Sequence, residues 1–247
     1  MISQEQRCVY HINPLAEVIC QLRFPEILSI QTNIPADFQE AIRHLFPKYS
    51  VRSEPLPGNM PPSNNYQFLS ADGIWRVNLT SKFISLSCRK YTCWEDFAGM
   101  LDKPLAAFIQ IYRPAYFERI GLRYVNFISR QRLQLEGVPF CDLIEPCYLG
   151  ILAEDDISEA ATARCTVDVE TALRGGCRVK IHAGPGKVNC NGKLDPEVKF
   201  IFDQDLFMAG NIPVNASAGA LQTLHGQSYG VFRGAITNML HNAMEPN

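Results

Sequence analysis

Two stretches of the chain share one pattern, in which short strands with alternating apolar residues lead into a long amphipathic helix. Residues 74–112 begin with strand alternation and end in a helix that opens after Cys93, and residues 198–244 begin with an apolar run and end in a second helix. Apolar residues repeat every two positions in a half-buried strand and every three or four in a half-buried helix. The sequence therefore predicts an α+β protein of two related halves, each an antiparallel sheet covered by a long helix.

The length and composition are those of a folded protein with a sizeable core. The 247 residues are 47% hydrophobic and 19% charged, which is ordinary for a globular protein and sufficient without disulfide staples. Residues 129–150 mix Pro139 and Pro146 with isolated apolar residues, as a connection between two halves does. We therefore predict an N-terminal half at residues 1–132 and a C-terminal half at residues 133–247, or one compact unit made of both.

Glycine and proline mark the predicted loops. Residues 53–65 contain four Pro and one Gly and predict an exposed loop. Residues 184–187 and 189–192 predict tight turns between strands of the second half. The sequence Gly-Pro-Gly-Lys at 184–187 resembles the end of a phosphate-binding loop, but Ile181 and Val188 stand where that loop needs Gly and Ser or Thr, so a turn is favoured.

Targeting signals and cysteines bear on the compartment. The N-terminus lacks the basic, apolar and small-residue order of a secretory signal, and no apolar run approaches the roughly 20 residues that cross a bilayer. The nine cysteines contain no Cys-x-x-Cys pair, which favours reduced, mostly buried thiols. A cytoplasmic protein without membrane contact is therefore expected. A zinc or redox site that combines some of Cys165, Cys177, His182 and Cys190 is the alternative.

The two halves differ in charge. Residues 1–132 carry 15 Lys and Arg against 11 Asp and Glu, which gives plus 4, and residues 133–247 carry 8 against 14, which gives minus 6. The net charge of minus 2 argues against nucleic-acid binding, which relies on many Lys and Arg contacts to phosphate. Opposite charge on the halves favours a protein partner, or head-to-tail assembly into a homo-oligomer.

Strand alternation places six charged side chains on exposed strand faces: Arg119, Arg123, Asp168, Glu170, Asp203 and Asp205. Side-chain direction repeats every two residues, so the two arginines share one face and each acidic pair shares another. The outer face of an antiparallel sheet explains such a pattern. We therefore predict binding surfaces at these six residues, with no catalytic residue, no metal and no cofactor.

Two alternatives to this partner-binding interpretation stay open. If the acidic strands were neighbours, their four carboxylates could hold Mg²⁺ or Mn²⁺, as in a metal-dependent hydrolase or nuclease. A small-ligand module would instead place a pocket between sheet and helices, lined by Trp75, Phe83, Trp94 and Phe97, although aromatic residues at such spacing are usually core.

The last predicted helix has two unusual features. Its Gly226, Gly230 and Gly234 lower its helix propensity, so the helix either packs very closely or is stabilised by a partner. Ser228 completes the letters Gly-x-Ser-x-Gly of a hydrolase nucleophile, but the segment has no strand entering a turn. The sequence favours a helix without a nucleophile.

Three blocks carry a resemblance to a known family. They run from Asn13 to Phe24 (Asn-Pro-Leu-Ala-Glu-Val at its start), from Gly121 to Asn126 and from Leu224 to Thr237. They resemble a sporadically distributed family of uncharacterised prokaryotic proteins of about this length. The resemblance implies no reaction, cofactor or catalytic residue, and the patchy distribution is like that of accessory defence or toxin–antitoxin genes. Taken together, the sequence predicts a cytosolic binding or regulatory protein that is not an enzyme.

Overall fold

The computed structural model describes residues 2–54, 63–190 and 192–247. Within these ranges, nine strands form a single antiparallel sheet. The strands are β1 (Leu15–Arg23), β2 (Lys48–Glu54), β3 (Ser63–Leu69), β4 (Trp75–Leu79), β5 (Phe83–Cys88), β6 (Phe117–Ile128), β7 (Val167–Ala172), β8 (Arg178–Cys190) and β9 (Lys193–Ile212). Their order across the sheet is β2-β3-β4-β5-β1-β6-β9-β8-β7. Strands β2 and β7 are therefore the edge strands.

Five α-helices accompany the sheet in the described residues. They are α1 (Leu28–Thr32), α2 (Ala36–Ile42), α3 (Trp94–Tyr112), α4 (Ser217–Arg233) and α5 (Asn238–Ala243). The long helix α3 begins after Cys93. Glu95 and Asp96 lie in its first turn, where the negative carboxylates interact favourably with the positive end of the helix dipole. Pro104 lies inside α3, which continues past it as one helix.

The predicted fold of two halves, each with its own sheet under a long helix, is wrong. A single sheet of nine strands contains all the predicted strands. Apolar residues at every second position identify a half-buried strand. The same period is found whichever strand is its neighbour in the sheet, so it does not predict strand pairing. Strand pairing is decided by contacts between residues far apart in the chain, which the period does not encode.

The predicted loops differ in their outcomes. Residues 55–62, most of the loop predicted over 53–65, lie outside the described residues, as does Asn191 of the turn predicted at 189–192. The turn predicted at 184–187 is instead part of β8. Gly184 is needed there because a Cβ atom on it would lie 2.3 Å from the main-chain oxygen of Cys165. The glycine therefore permits a close approach of two backbones, not a reversal of the chain.

The contacts divide the chain into two units. Unit 1 consists of residues 1–16, 123–206 and 223–247, and unit 2 consists of residues 17–122 and 207–222. The boundary predicted between residues 132 and 133, with one compact unit as its alternative, stays a prediction.

The core of unit 1 is aromatic. Phe202 of β9 packs edge-on against Tyr148 and Phe232, with ring centroids 5.3 and 5.9 Å apart, and Phe200 packs against Phe140 at 5.4 Å. Since side chains alternate along a strand, burial of these two phenylalanines turns Asp203 and the other odd-numbered residues of β9 to the opposite face.

The core of unit 2 contains the aromatic residues proposed for a ligand pocket. The ring of Phe97 lies 5.8 Å from that of Trp75 and 6.1 Å from that of Trp94, and Trp94 donates its indole hydrogen to Gln222 at 2.9 Å. The fourth residue, Phe83, lines a separate cleft. These rings fill the space between them, as core residues do.

No helix in the described part of the chain is long and apolar enough to cross a membrane.

Candidate functional site

A cleft of about 460 Å³ lies on the strand face of unit 1 that is opposite the aromatic core. Its ionisable lining residues are Arg123, Asp168, Glu170, Lys180, His182, Asp203 and Asp205. Five of the six predicted site residues are thus brought together in one cleft, and Arg119 is not among its lining residues. Sequence alternation gave the face on which each side chain lies, but Lys180 was not singled out, and His182 was named only for the alternative zinc or redox site. Their alternation on β8, with buried Val179, Ile181 and Ala183 between, was the signal that could have found them.

Arg123 and Asp203 form the closest ion pair of the cleft. The Nε of Arg123 donates to Oδ1 of Asp203 at 2.7 Å, and its Nη2 donates to Oδ2. This two-pronged geometry is the favoured one between a guanidinium and a carboxylate. The Arg123 side chain is 47% exposed and that of Asp203 is 13% exposed, so water screens the pair and its contribution to stability is modest.

Strand register sets the other charge pairs. Asp168 of β7 lies opposite His182 of β8, and Glu170 lies opposite Lys180. An oxygen of Asp168 lies 2.7 Å from Nδ1 of His182, while Glu170 contacts both Lys180 at 3.3 Å and Arg178 at 2.8 Å. The carboxylates are therefore engaged by cationic or imidazole groups across the strands.

This arrangement does not suit a metal-dependent hydrolase. The carboxylates of Asp168, Glu170 and Asp203 each turn to a partner on an adjacent strand instead of converging on one point. Among the described residues, no group of three or more His, Cys, Asp and Glu side chains is placed so that it could hold a metal ion. The face is a polar surface of paired charges.

The residues of the alternative zinc site have separate partners. The thiol of Cys165 donates to the main-chain oxygen of Leu149 at 3.2 Å, and Cys177 is buried beside the amide of Gln227, also at 3.2 Å. Burial raises the pKa of the Cys177 thiol, which disfavours the thiolate that zinc would need. The side chain of Cys190 lies outside the described residues.

Ser228 does not form a nucleophile elbow. It lies within α4, is buried, and donates to the main-chain oxygen of His225 at 2.7 Å, one turn earlier in the helix. Such a bond within a helix satisfies the hydroxyl locally. Ser228 therefore lies within a helix and not in a strand-to-helix turn.

Arg119 is a packed cation of unit 2. Its guanidinium carbon lies 4.6 Å from the centre of the Phe207 ring. A Cβ atom on Gly121 would lie 2.3 Å from Nη1 of Arg119, so the glycine lets the guanidinium lie across its own strand. Burial raises the pKa of Cys20 to about 12, and the positive charge of Arg119 opposes that rise. Sequence alternation found the exposed face of Arg119 but not its aromatic partner, which comes from a distant part of the chain.

Edge strand β7 adds hydrogen-bonding groups to the cleft. The amide of Leu173 donates to Cys177 at 2.8 Å, directly beyond the last paired residues of β7 and β8. In an antiparallel pair, hydrogen-bonded and non-hydrogen-bonded positions alternate. The residues that bond to β8 are therefore Val167, Val169 and Thr171. Those that direct their N–H and C=O away from β8, to the open edge, are Asp168, Glu170 and Ala172. Asp168 and Glu170 thus contribute both carboxylates to the cleft and outward backbone groups to the edge.

The edge strand β7 has six residues, two of them acidic (Asp168 and Glu170), and contains no proline. Proline would remove a backbone donor from the edge, whereas acidic side chains leave the backbone groups in place and disfavour an added strand of like charge. The two acidic residues were visible in the sequence, but the position of β7 at the edge was not.

No protein-family model matches this chain, and a search of curated proteins found no match. The resemblance to a family of prokaryotic proteins stays a prediction.

Proposed function

We propose that this chain is a non-catalytic binding or regulatory protein that pairs strand β7 with an extended, basic segment of a partner protein. One observation carries the proposal: Asp168 and Glu170 present carboxylates to the cleft and, by the hydrogen-bond alternation, unpaired backbone groups to the sheet edge. Addition of a strand to an open edge is a common mode of peptide recognition, in which main-chain bonds supply affinity and alternate side chains supply specificity.

The charge of the cleft favours a basic segment. Four carboxylates line it, against the two permanent cations Arg123 and Lys180. On an added strand, the residues opposite Asp168 and Glu170 would place their side chains on the same face, about 4.5–5.5 Å away. Lys or Arg at alternating positions would therefore pair with these carboxylates.

A second copy of this chain fits the edge less well. In the registers with the greatest overlap, two β7 strands paired antiparallel through their outward groups would set Asp168 or Glu170 of one copy against an acidic residue of the other. Like charges directly opposite one another destabilise a strand pair. A different protein is therefore the favoured partner, and homo-oligomerisation through this edge is disfavoured.

The cysteines support a reducing compartment. All eight cysteines with described side chains are free thiols, and five of them are not buried: Cys8, Cys93, Cys141, Cys147 and Cys165. Thiols in such positions persist in the cytoplasm and tend to oxidise outside it. We therefore place the proposed interaction in the cytoplasm.

The experiment uses a synthetic peptide that alternates Lys and Val, with a matched peptide that alternates Glu and Val. Fluorescence anisotropy at low salt should show that the Lys peptide binds the intact chain and that the Glu peptide does not. Binding should weaken as salt is raised, because the attraction between exposed charges is screened.

Two variants separate the charge from the strand edge. Asp168→Lys combined with Glu170→Lys should abolish binding of the Lys peptide and admit the Glu peptide. Ala172→Pro removes an outward N–H while leaving every charge in place, so it should weaken binding of the Lys peptide without reversing the preference. Equal binding of both peptides to the intact chain, or no effect of either variant, would contradict the proposal.

A further inference from the structure

The N-terminal segment of unit 1, residues 2–10, packs on helix α4. The amide of Ser3 donates to the main-chain oxygen of Gly230 at 2.9 Å. A Cβ atom on Gly230 would lie 2.7 Å from the main-chain oxygen of Ser3, so only glycine permits this approach. Glu5 then accepts two bonds from the guanidinium of Arg233, at 2.6 and 3.1 Å.

A second cleft of unit 1, of about 610 Å³, lies beside this segment. Its walls are the N-terminal segment, the side of α4 and the tight turn at residues 174–176 that follows β7. Gly226 of α4 lies in the wall, and a Cβ atom on it would meet nothing within 4 Å. This volume is within the range of small-molecule sites, roughly 300–1,000 Å³.

Two exposed arginines line the cleft without a carboxylate partner in the described residues. Arg7 has one hydrogen bond, from Nη1 to the ring nitrogen Nε2 of His225 at 2.7 Å. Arg174 makes no ion pair in the described part of the chain, and its side chain is exposed. Glu5, which also lines the cleft, is engaged by the buried Arg233. Among the described residues, neither of the two cationic groups of the cleft forms an ion pair with a carboxylate.

Helix α4 positions both arginines. His225 is 6% exposed, and its Nδ1 lies 2.9 Å from the hydroxyl of the buried Tyr124. A guanidinium can only donate hydrogen bonds, so Nε2 of His225 accepts from Arg7, and Nδ1 carries the ring proton and donates to Tyr124. Gln227 donates to the main-chain oxygen of Arg174 at 3.0 Å and so holds the turn. An exposed arginine that is anchored by a buried imidazole is pre-organised to bind a ligand.

We infer that this cleft binds a small phosphorylated molecule whose phosphate is held by Arg7 and Arg174. Guanidinium groups match the geometry of phosphate oxygens and keep their charge at every physiological pH. The volume exceeds that of phosphate alone, so the remainder of the molecule would lie along Gly226 and Tyr229. The inference is independent of the interaction proposed for β7, which uses another face of unit 1.

Isothermal titration calorimetry of the full chain tests the inference with three probes: adenosine monophosphate, inorganic phosphate and adenosine. Adenosine monophosphate should bind most tightly, inorganic phosphate more weakly, and adenosine not measurably. Arg7→Gln and Arg174→Gln should each weaken binding of the monophosphate by roughly tenfold to a hundredfold, the range for lost hydrogen bonds to a charged group.

Arg164→Gln is the matched control, because Arg164 is an exposed arginine of unit 1 that does not line this cleft. It should leave the affinity unchanged, and Arg7→Lys should restore part of the affinity that Arg7→Gln loses. Circular dichroism would show that each variant is folded. Equal affinity for adenosine and its monophosphate would overturn the inference, as would an affinity that is the same in Arg7→Gln and Arg164→Gln, or no binding of either phosphate probe.

Discussion

At the scale of single residues, the guanidinium of Arg233 is a buried charge of unit 1 that requires an ionic partner. Its side chain is only 8% exposed, and Glu5 is the carboxylate that pairs with it. A charge that is taken out of water costs free energy unless it is paired and hydrogen-bonded. The partner is supplied by a segment more than 200 positions away in the sequence, so sequence spacing gave no sign of it.

We expect Glu5→Gln to lower the free energy of unfolding by about 1–3 kcal/mol, the penalty for leaving a buried charged group without its partner. Urea unfolding of the two proteins measures this difference. Glu40→Gln is the control, because the pair of Glu40 and Arg43 is exposed on both sides and such pairs contribute about 0–1 kcal/mol. A loss for Glu40→Gln as large as that for Glu5→Gln would show that burial of Arg233 is not the cause.

His241 should make stability depend on pH. Burial, followed by the nearby Arg233, lowers the pKa of His241 below its ordinary value. The unfolded chain therefore takes up the proton at a higher pH than the folded chain does, so the contribution of His241 is complete above about pH 6.5 and is lost as the pH falls through the folded pKa.

The measurement for His241 is urea unfolding at pH 7.5 and at about pH 5.5, within the window in which an ordinary histidine becomes charged. His241→Gln retains a hydrogen-bond acceptor for the hydroxyl of Tyr10, which lies 2.9 Å from His241, but it cannot titrate. The variant should lose less stability than the parent between the two pH values. An equal loss in both proteins would assign the pH dependence to other groups.

At the scale of elements, the glycines of α4 divide into two kinds. Gly230 lies against the main chain of Ser3, whereas Gly226 has open space where a side chain would be. Replacing either glycine by alanine favours the helix by the same intrinsic amount, about 0.5–1 kcal/mol in the free energy of unfolding. The sequence predicted that this helix packs closely or has a partner, and at Gly230 it is the N-terminal segment of the same chain that packs closely.

Gly226→Ala should therefore raise the free energy of unfolding by about 0.5–1 kcal/mol, while Gly230→Ala should lower it, because the added methyl group displaces Ser3. Urea unfolding gives the two signs, and hydrogen exchange of residues 2–10 should increase only in Gly230→Ala. Stabilisation by both substitutions would mean that the segment does not approach α4 as closely as described.

Strand β7 makes a second prediction at this scale. The amides of Val169 and Thr171 bond to β8, and those of Asp168, Glu170 and Ala172 point to the open edge, as the bond from Leu173 to Cys177 requires. Amide hydrogen exchange measured by NMR should therefore be slow at the first two residues and fast at the other three. The reverse pattern would remove the structural basis for strand addition at this edge.

At the scale of the whole molecule, the two units are built from interleaved pieces of chain. Unit 1 takes residues from both termini and from the middle, and strands β6 and β9 each contribute residues to both units. A cut between residues 132 and 133 separates residues 1–16 from the rest of unit 1. The two halves defined by the charge difference are therefore not the pieces that contacts define.

Fragments 1–132 and 133–247, expressed separately, should not fold, because each lacks strands or segments that complete a core. The full chain, which contains every piece of both units, should show cooperative unfolding. Circular dichroism and differential scanning calorimetry of the three proteins measure both properties. A cooperative transition in either fragment would support the predicted boundary instead.

The sequence by itself determined the local elements and the direction of their side chains. The two-residue period gave the buried Phe202 and the outward Asp203, and the three-to-four-residue period gave α3, because side-chain direction follows from backbone geometry alone. The tertiary structure decided which strands are neighbours, and hence that Asp203 meets Arg123 and that β7 lies at an edge. It also placed Arg7 on His225. These contacts join residues far apart in the chain, and the free energy that selects them comes from packing and burial of the whole core, which no local period records.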